Sequence, residues 1–269
     1  MKESTEKQKE YLEFAKEIAY EAGLIMKTYF QEDNGASYKK DETIVTKADT
    51  KINQLLIEKV KSKYPTHSVD GEEEQFGKSK YVWVCDPVDG TAMYARHIPV
   101  AVFSLALVVD GVPIVGVVYD PFTDNLYSAA KGKGAYRNDK KISVNKIKLG
   151  DKKSTSNMDM WKKSEYNIWD IIKELGEETY FVEIGSVIRA CMCVANGDFN
   201  LSIFPGTKHK NCDIAAAKVI VEEAGGKVTD LFGEEQRYDE NINGALISNS
   251  IVHEDVLTII KKYLHNLKE

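Results

Sequence analysis

Apolar side chains recur at helical spacing through the first thirty residues. Leu12, Ala15, Ala19, Ala22, Ile25, Met26 and Phe30 fall on one face, which predicts an amphipathic helix ending near residues 31–37. A second helical pattern follows Asp49, with Ile52, Leu55, Leu56, Val60 and Tyr64 on one side and Pro65 as its stop. The period then changes. Residues 81–85 and 101–109 are dense in β-branched and aromatic side chains, and Asp110-Gly111 predicts a tight hairpin before a strand over 114–119. Strands over 126–130 and 134–136 extend an antiparallel sheet.

Residues 140–159 are polar. Beyond them the pattern predicts a helix over 169–175, a strand over 180–184, a helix over 186–195 and a strand over 199–203. A helix over 213–224 then ends at Gly225-Gly226, followed by a strand over 245–247 and a closing helix over 253–264. No repeat or low-complexity tract interrupts this order. Paired helices, a strand-rich middle and a mixed second half predict an α+β protein of alternating helix and sheet layers. The expected organisation is one catalytic unit over 1–269, with an N-terminal α+β half to about residue 145 and a C-terminal α/β half from about 146.

Composition narrows the possible roles. With 269 residues, 43% of them hydrophobic, the chain can bury a large core. A net charge of −6 argues against a protein that grips nucleic acid by neutralising phosphates, and the lysine-rich stretch 146–153 reads as a solvated loop. The polar start, residues 1–10, lacks the pattern of a secretion signal. The longest apolar run, residues 100–109, is about half of what a membrane-spanning helix needs, so no membrane partner is expected. Four cysteines without a C-x-x-C pair fit buried, reduced thiols in a cytoplasmic protein.

Candidate chemistry concentrates at Trp83-Val84-Cys85-Asp86-Pro87-Val88-Asp89-Gly90-Thr91, where an apolar strand runs into two carboxylates three positions apart. Pro87 restricts the backbone and Gly90 frees it, so both carboxylates and the Val88 carbonyl can be aimed at one point. These are hard oxygen donors of the kind magnesium prefers. A helix starting at Gly90 or Thr91 would turn its N–H groups toward the same place. Asp, Pro and Gly also build ordinary turns, and Glu72, Glu73 and Glu74 by themselves describe a solvated face. Asp213 could cap the helix behind it, as Asp49 could cap the one beginning at residue 50 or 51.

Four stretches taken in order resemble the inositol monophosphatase family. Val45-Thr46-Lys47-Ala48-Asp49 is similar to its V-T-x-A-D, Gly71-Glu72-Glu73 to its G-E-E, and Asp86 to Thr91 to its D-P-(I/V)-D-G-T. Asp213-Ile214-Ala215-Ala216-Ala217, followed by Glu222-Glu223-Ala224-Gly225-Gly226, is similar to W-D-x-A-A with a closing E-A-G-G. The resemblance implies a layered α-β-α-β-α sandwich of the inositol monophosphatase and fructose bisphosphatase type. It also implies metal-dependent hydrolysis of a small phosphate monoester with two or three Mg2+ ions, inhibition by Li+, and a homodimer. Carried over, Glu72, Asp86 and the Val88 carbonyl would bind the first metal, and Asp86, Asp89 and Asp213 the second. Glu72 and Thr91, with Asp49 nearby, would hold the attacking water, as expected for in-line displacement assisted by two cations. Asp89, Gly90, Thr91, Ser186 and Asp213 would contact substrate.

The match departs at the pocket rim. The family carries tryptophan before its last aspartate and, in inositol-specific members, a glutamate a few residues earlier. Here Cys212 precedes Asp213, and the loop over 204–211 contains no acidic residue. Met93-Tyr94 stands where Asn-Phe is usual. Lys208, His209 and Lys210 lie in the altered loop and suit either solvent or a second anionic group, and Arg189 is equally open. Lys39 and Lys40 are expected to be solvated surface. The substrate could be an inositol phosphate, another sugar or polyol phosphate, fructose 1,6-bisphosphate, histidinol phosphate or adenosine 3′,5′-bisphosphate. An aspartyl-phosphate phosphatase is disfavoured because its two aspartates are separated by one residue. A metal-binding scaffold on the same fold is the non-enzymatic alternative.

Overall fold

The computed structural model describes residues 3–40, 42–161, 164–206, 211–242 and 244–264. Its first helix, α1 (Thr5–Gln31), starts where the Ser4 hydroxyl accepts the Lys7 N–H at 3.2 Å. A short ribbon of β1 (Ser37–Tyr38) and β2 (Ile44–Val45) leads into α2 (Lys47–Lys63). This helix begins earlier than the apolar period predicts. Thr46 is its N-cap, so Asp49 lies in the first turn and is not the cap itself.

The larger of the two sheet layers has eight strands. Its members are β3 (Ser68–Gly71), β4 (Gln75–Phe76), β5 (Tyr81–Asp89), β6 (Val102–Val109), β7 (Val112–Asp120), β8 (Asn125–Ala130), β9 (Ala135–Arg137) and β10 (Lys140–Lys141). The order β10-β9-β8-β7-β6-β5-β3-β4 is antiparallel except where β3 pairs with β5. One-turn α3 (Thr91–Tyr94) follows β5. Asp110 and Gly111 both take positive φ, 51° and 86°, as the predicted two-residue hairpin turn requires.

A second sheet belongs to the rest of the chain. It contains β11 (Thr155–Met158), β12 (Tyr180–Val182), β13 (Leu201–Phe204), β14 (Lys227–Thr229) and β15 (Ala245–Ser248) in the order β12-β11-β13-β15-β14. Four helices accompany it: α4 (Trp169–Leu175), α5 (Val187–Ala195), α6 (Cys212–Glu223) and α7 (His253–Leu264). Strand β11 occupies the end of the polar stretch and was not foreseen. Ser156 and Asn157 are fully buried there, with the Asn157 amide donating to Asp159 and its carbonyl oxygen accepting the Ile184 N–H. The buried Ser156 hydroxyl has no hydrogen-bond partner among the described residues, and a buried strand of polar side chains carries no apolar period.

Three apolar clusters define the layers. The first joins α1 and α2 to one face of the large sheet through Phe14, Ile18, Leu56, Trp83 and Phe103. The second joins the opposite face to α5 and α6 and, through Phe204 and Ile247, to the small sheet. The third packs α4 and α7 on the far face of that sheet through Ile171, Ile203, Leu246 and Ile260. The result is the α-β-α-β-α sandwich expected from the sequence. Each large apolar side chain so buried contributes about 1.5–3 kcal/mol. Among the described residues, no helix is long and apolar enough to cross a membrane.

Candidate functional site

Two groups of acidic side chains form, one between α2 and the end of β3 and one between β5 and α6. The first gathers Asp49, Glu72 and Glu73, which each bring one oxygen to within 4.8 Å of the others. Its geometry begins with the start of α2. The Thr46 N–H donates to the Asp49 carboxylate at 2.9 Å, and the Thr46 hydroxyl contacts the same oxygen, giving the reciprocal cap of a Thr-x-x-Asp sequence. Glu72 follows β3, and its N–H donates to the Cys85 carbonyl at 3.1 Å. Asn53, one helical turn beyond Asp49, holds the next residues. Its carbonyl oxygen accepts the N–H groups of Glu73 and Glu74, and its amide donates to the Glu74 carbonyl at 3.0 Å. A Cβ on Gly71 would sit 2.0 Å from that Asn53 oxygen, so only glycine fits there.

The second group depends on an irregularity in β5, which does not stop before its carboxylates but continues through them. Asp86 pairs with Ser104 and Asp89 with Val102, so three steps along β5 match two along β6. Regular alternation would send Asp86 and Asp89 to opposite faces. The extra residue of the bulge restores them to one face. Accordingly Trp83, Cys85 and Val88 enter the α1/α2 core, while Val82 and Val84 face the α5/α6 side, where Asp89 meets α5. The Asp89 carboxylate accepts the Ile188 N–H at 2.9 Å and the Ser186 hydroxyl. Asp86 accepts the Val88 N–H at 3.0 Å. Gly90 then turns the chain at φ 89°, and a Cβ on it would lie 3.0 Å from the Gly185 carbonyl oxygen.

Helix α6 brings the final carboxylate. Asn211 precedes the helix and anchors it, its amide donating to Asp70 at 2.8 Å and to the Tyr238 carbonyl at 3.0 Å. Asp213 therefore lies inside the first turn and is not the cap. Asp86, Cys212 and Asp213, all buried, each bring a ligand atom to within 4.8 Å of the others. Thr91 links the first group to the β5 bulge. Its hydroxyl oxygen is 2.7 Å from the Val88 carbonyl oxygen and 3.4 Å from an Asp49 carboxylate oxygen.

The electrostatics reflect this crowding. Burial, reinforced by Glu72 and Glu73 and opposed by Thr46, raises the Asp49 carboxyl to about 7. Asp159 lies just beyond β11 and is 3% exposed. Burial pushes its carboxyl well up, and Asp89, Glu183 and Asp213 add to the shift. Burial also raises the Cys191 thiol, with Asp159 and Asp89 contributing. Asn53, Asp159 and Cys212 were not read as parts of the site. Asn53 is a polar position within the apolar pattern of α2, Asp159 closes a polar stretch with no apolar period, and Cys212 satisfies the ordinary reading of a buried thiol.

Other assignments change with the structure. Lys39 is half-buried and forms ion pairs with Glu73 and, at 3.6 Å, with Glu72, so it is not simply solvated, whereas Lys40 is exposed. The Arg189 guanidinium lies 2.7 Å from the buried Asp120 carboxylate and ties α5 to the end of β7. Lys208, His209 and Lys210 lie outside the described residues.

The donor set fits divalent cations. Carboxylates in this number, buried from several elements onto one place, are costly to desolvate unless cations or protons offset their charge. Aspartate and glutamate oxygens are also the donors magnesium favours.

Residues 7–265 match the model of the inositol monophosphatase family. A fructose-1,6-bisphosphatase/inositol-1-monophosphatase of Aquifex aeolicus is 34% identical, over 95% of this chain and 97% of its own. The structure of inositol monophosphatase from Anabaena (Nostoc) sp. PCC 7120 is 28% identical, with a TM-score of 0.82 over 95% of this chain and 96% of that one. A solved IMPase/NADP phosphatase complexed with Mg2+ and phosphate is 25% identical, with a TM-score of 0.81 over 94% and 95% of the two chains.

Proposed function

The chain belongs to the inositol monophosphatase family and hydrolyses small phosphate monoesters, and on that premise we propose a magnesium-dependent phosphatase whose cations are held by Glu72, Asp86, the Val88 carbonyl, Asp89 and Asp213. The observation that carries this reading is the meeting of Asp86 on β5 with Asp213 on α6, both buried, from opposite halves of the chain. It also supports a single catalytic unit formed by the N-terminal half to about residue 145 and the C-terminal half from about 146. The chemistry such cations supply is neutralisation of phosphoryl charge and a lower pKa for water.

The chain's own groups do the rest. Glu72 orients the attacking water and accepts its proton, beside Thr91 and Asp49, whose oxygens lie 3.4 Å apart. The Thr91 hydroxyl donates to the Val88 carbonyl and faces an Asp49 carboxylate oxygen, whose acidity burial has weakened. Gly90, Thr91 and Ser186 line the place where the phosphate sits, and Asp89 stays aligned through its bonds to Ser186 and Ile188. The substrate class is an inositol phosphate or a related sugar or polyol phosphate. A second reading, a more anionic bisphosphate, draws on the absence of an acidic residue from the 204–211 loop and on the double name of the Aquifex relative. The protein acts as a homodimer in the cytoplasm, where its four thiols stay reduced.

Phosphate release should be measured with magnesium against inositol monophosphate, another sugar phosphate, fructose 1,6-bisphosphate, histidinol phosphate and adenosine 3′,5′-bisphosphate, ranked by kcat/KM. Turnover should vanish with chelator and fall with millimolar lithium. Undiminished turnover in chelator overturns the cation assignment. Loss of a charge-assisted hydroxyl contact is worth roughly 1.5–3 kcal/mol, so inositol monophosphate should fall about one to two powers of ten below the best substrate.

A further inference from the structure

Cys212 lies inside the acidic cluster, in a position for which the family pattern has a tryptophan that cannot bind a metal. Its Sγ belongs to the same buried group as the Asp86 and Asp213 carboxylates, with all three ligand atoms within 4.8 Å of one another. Cys212 is buried, with 4% of its surface exposed. Its helical position is fixed by Asn211, whose side-chain amide holds Asp70 and Tyr238. Cys212 borders the same α5/α6 core as Cys191, while Cys85 enters the α1/α2 core, and among the described cysteines Cys212 is the one whose sulfur joins a group of carboxylate oxygens.

The Cys212 Sγ lies 3.6 Å from Asp213 Oδ1. Without a cation this is a thiol donating to a carboxylate. The same separation also suits shared coordination, because a thiolate at about 2.3 Å and a carboxylate oxygen at about 2.1 Å from a tetrahedral cation are about 3.6 Å apart. The chain thus places one soft donor beside hard ones.

We propose that Cys212 is a metal ligand together with Asp86 and Asp213, and that this centre accepts zinc or cobalt through a metal–sulfur bond in addition to the magnesium of the proposed function, on which this inference rests. On binding, the thiol proton leaves to solvent and the sulfur lone pair enters the coordination sphere. Thiolate selects borderline and soft divalent ions over magnesium, so the same pocket distinguishes two classes of cation by whether sulfur engages.

The test is the absorption spectrum of the full-length protein titrated with cobalt(II). Wild type should show visible d–d bands and an intense near-ultraviolet thiolate-to-cobalt charge-transfer band. Cys212→Ser should retain the d–d bands and lose the charge-transfer band, whereas Cys85→Ala retains both. Zinc affinity of Cys212→Ser, measured by competition with a chelating dye, should fall roughly ten- to hundredfold, while thermal stabilisation by magnesium is unchanged. Cys212→Ala, checked by circular dichroism, serves if the serine variant does not fold. Wild-type d–d bands without charge transfer, or a charge-transfer band that survives in Cys212→Ser and Cys212→Ala, overturns the sulfur ligand and leaves the magnesium site standing. Absence of any cobalt spectrum or magnesium stabilisation overturns both.

Discussion

The two acidic groups reach neighbouring positions by different routes. Asp49, Glu72 and Glu73 come from one N-terminal stretch and are held by devices within it: the Thr46 cap, the Asn53 clamp and the Lys39 ion pairs. Asp86, Cys212 and Asp213 come from opposite halves and are fully buried. The first group is organised by the backbone that carries it. The second exists only once both sheets have closed on α5 and α6, and its charges are brought together by packing that supplies the free energy of burial. A cation should therefore matter more to the folding of the second group than to that of the first.

The largest effect should come from the carboxylates aligned by the β5 bulge. Asp86→Asn or Asp89→Asn should reduce turnover by roughly three orders of magnitude or more, the scale on which loss of an essential group is felt, with native circular dichroism. Near wild-type turnover in either variant at saturating magnesium would remove that residue from the cation site. The next test sets the groups against each other. Saturating magnesium should raise the wild-type melting temperature by roughly 5 °C or more, as ligation at about one hundred times Kd allows. Asp213→Asn should abolish that increment and Asp49→Asn should keep most of it. Equal loss in both variants would mean that the two groups bind as one.

Asn53→Ala addresses the local route. It leaves the Glu73 and Glu74 N–H groups without their shared acceptor, at a cost of about 1–3 kcal/mol, and turnover should fall through loosening of Glu72. Calorimetry and kcat check the two parts separately, and an unchanged kcat would restrict Asn53 to folding. The smallest effect concerns acid stability. His67 stacks between Tyr64 and Tyr81 with ring centroids 4.8 and 4.7 Å away, and accepts the Trp83 indole N–H at 3.1 Å. Burial, aided by Lys7, depresses its pKa to about 4. The neutral ring contributes its full stability above about pH 6.5, the unfolded value, and that contribution fades as pH falls toward 4. His67→Phe should flatten the acid limb of melting temperature against pH. An unchanged slope would assign that limb to other groups, His253 in the C-terminal half among them, which burial also lowers to about 4.

These tests bear on what could be read before the fold was seen. Helices α4 and α7 and the hairpin at Asp110-Gly111 were legible because their apolar spacing or turn chemistry is local. The family-like motifs marked Glu72, Asp86, Asp89 and Asp213. The structure brings Asp86 to Asp213 and Glu72 to Asp49, and holds Asp89 against α5. Strand β11 and Asp159 were hidden because buried polar side chains leave no periodic apolar trace. Asn53 was missed for the same reason, since a polar residue on a buried helix face resembles a solvent position until its partner is known. Cys212 was visible as a departure, but its carboxylate neighbours are set by tertiary approach.

The bulge between Asp86 and Asp89 makes this part of the protein sensitive to counting rather than to chemistry. Deleting Pro87 or Val88 would leave both aspartates in the chain and most of the sheet's apolar surface intact. With two steps along β5 then matching two along β6, regular alternation would still send both aspartates to one face, but the extra residue that bends the main chain and presents the Val88 carbonyl to the Thr91 hydroxyl would be gone. A one-residue deletion here would therefore spare side-chain direction and remove a main-chain oxygen from the site. The family-like spacing of these two aspartates is thus a length specification for the backbone, and point substitutions at Pro87 or Val88 should be tolerated far more often than their removal.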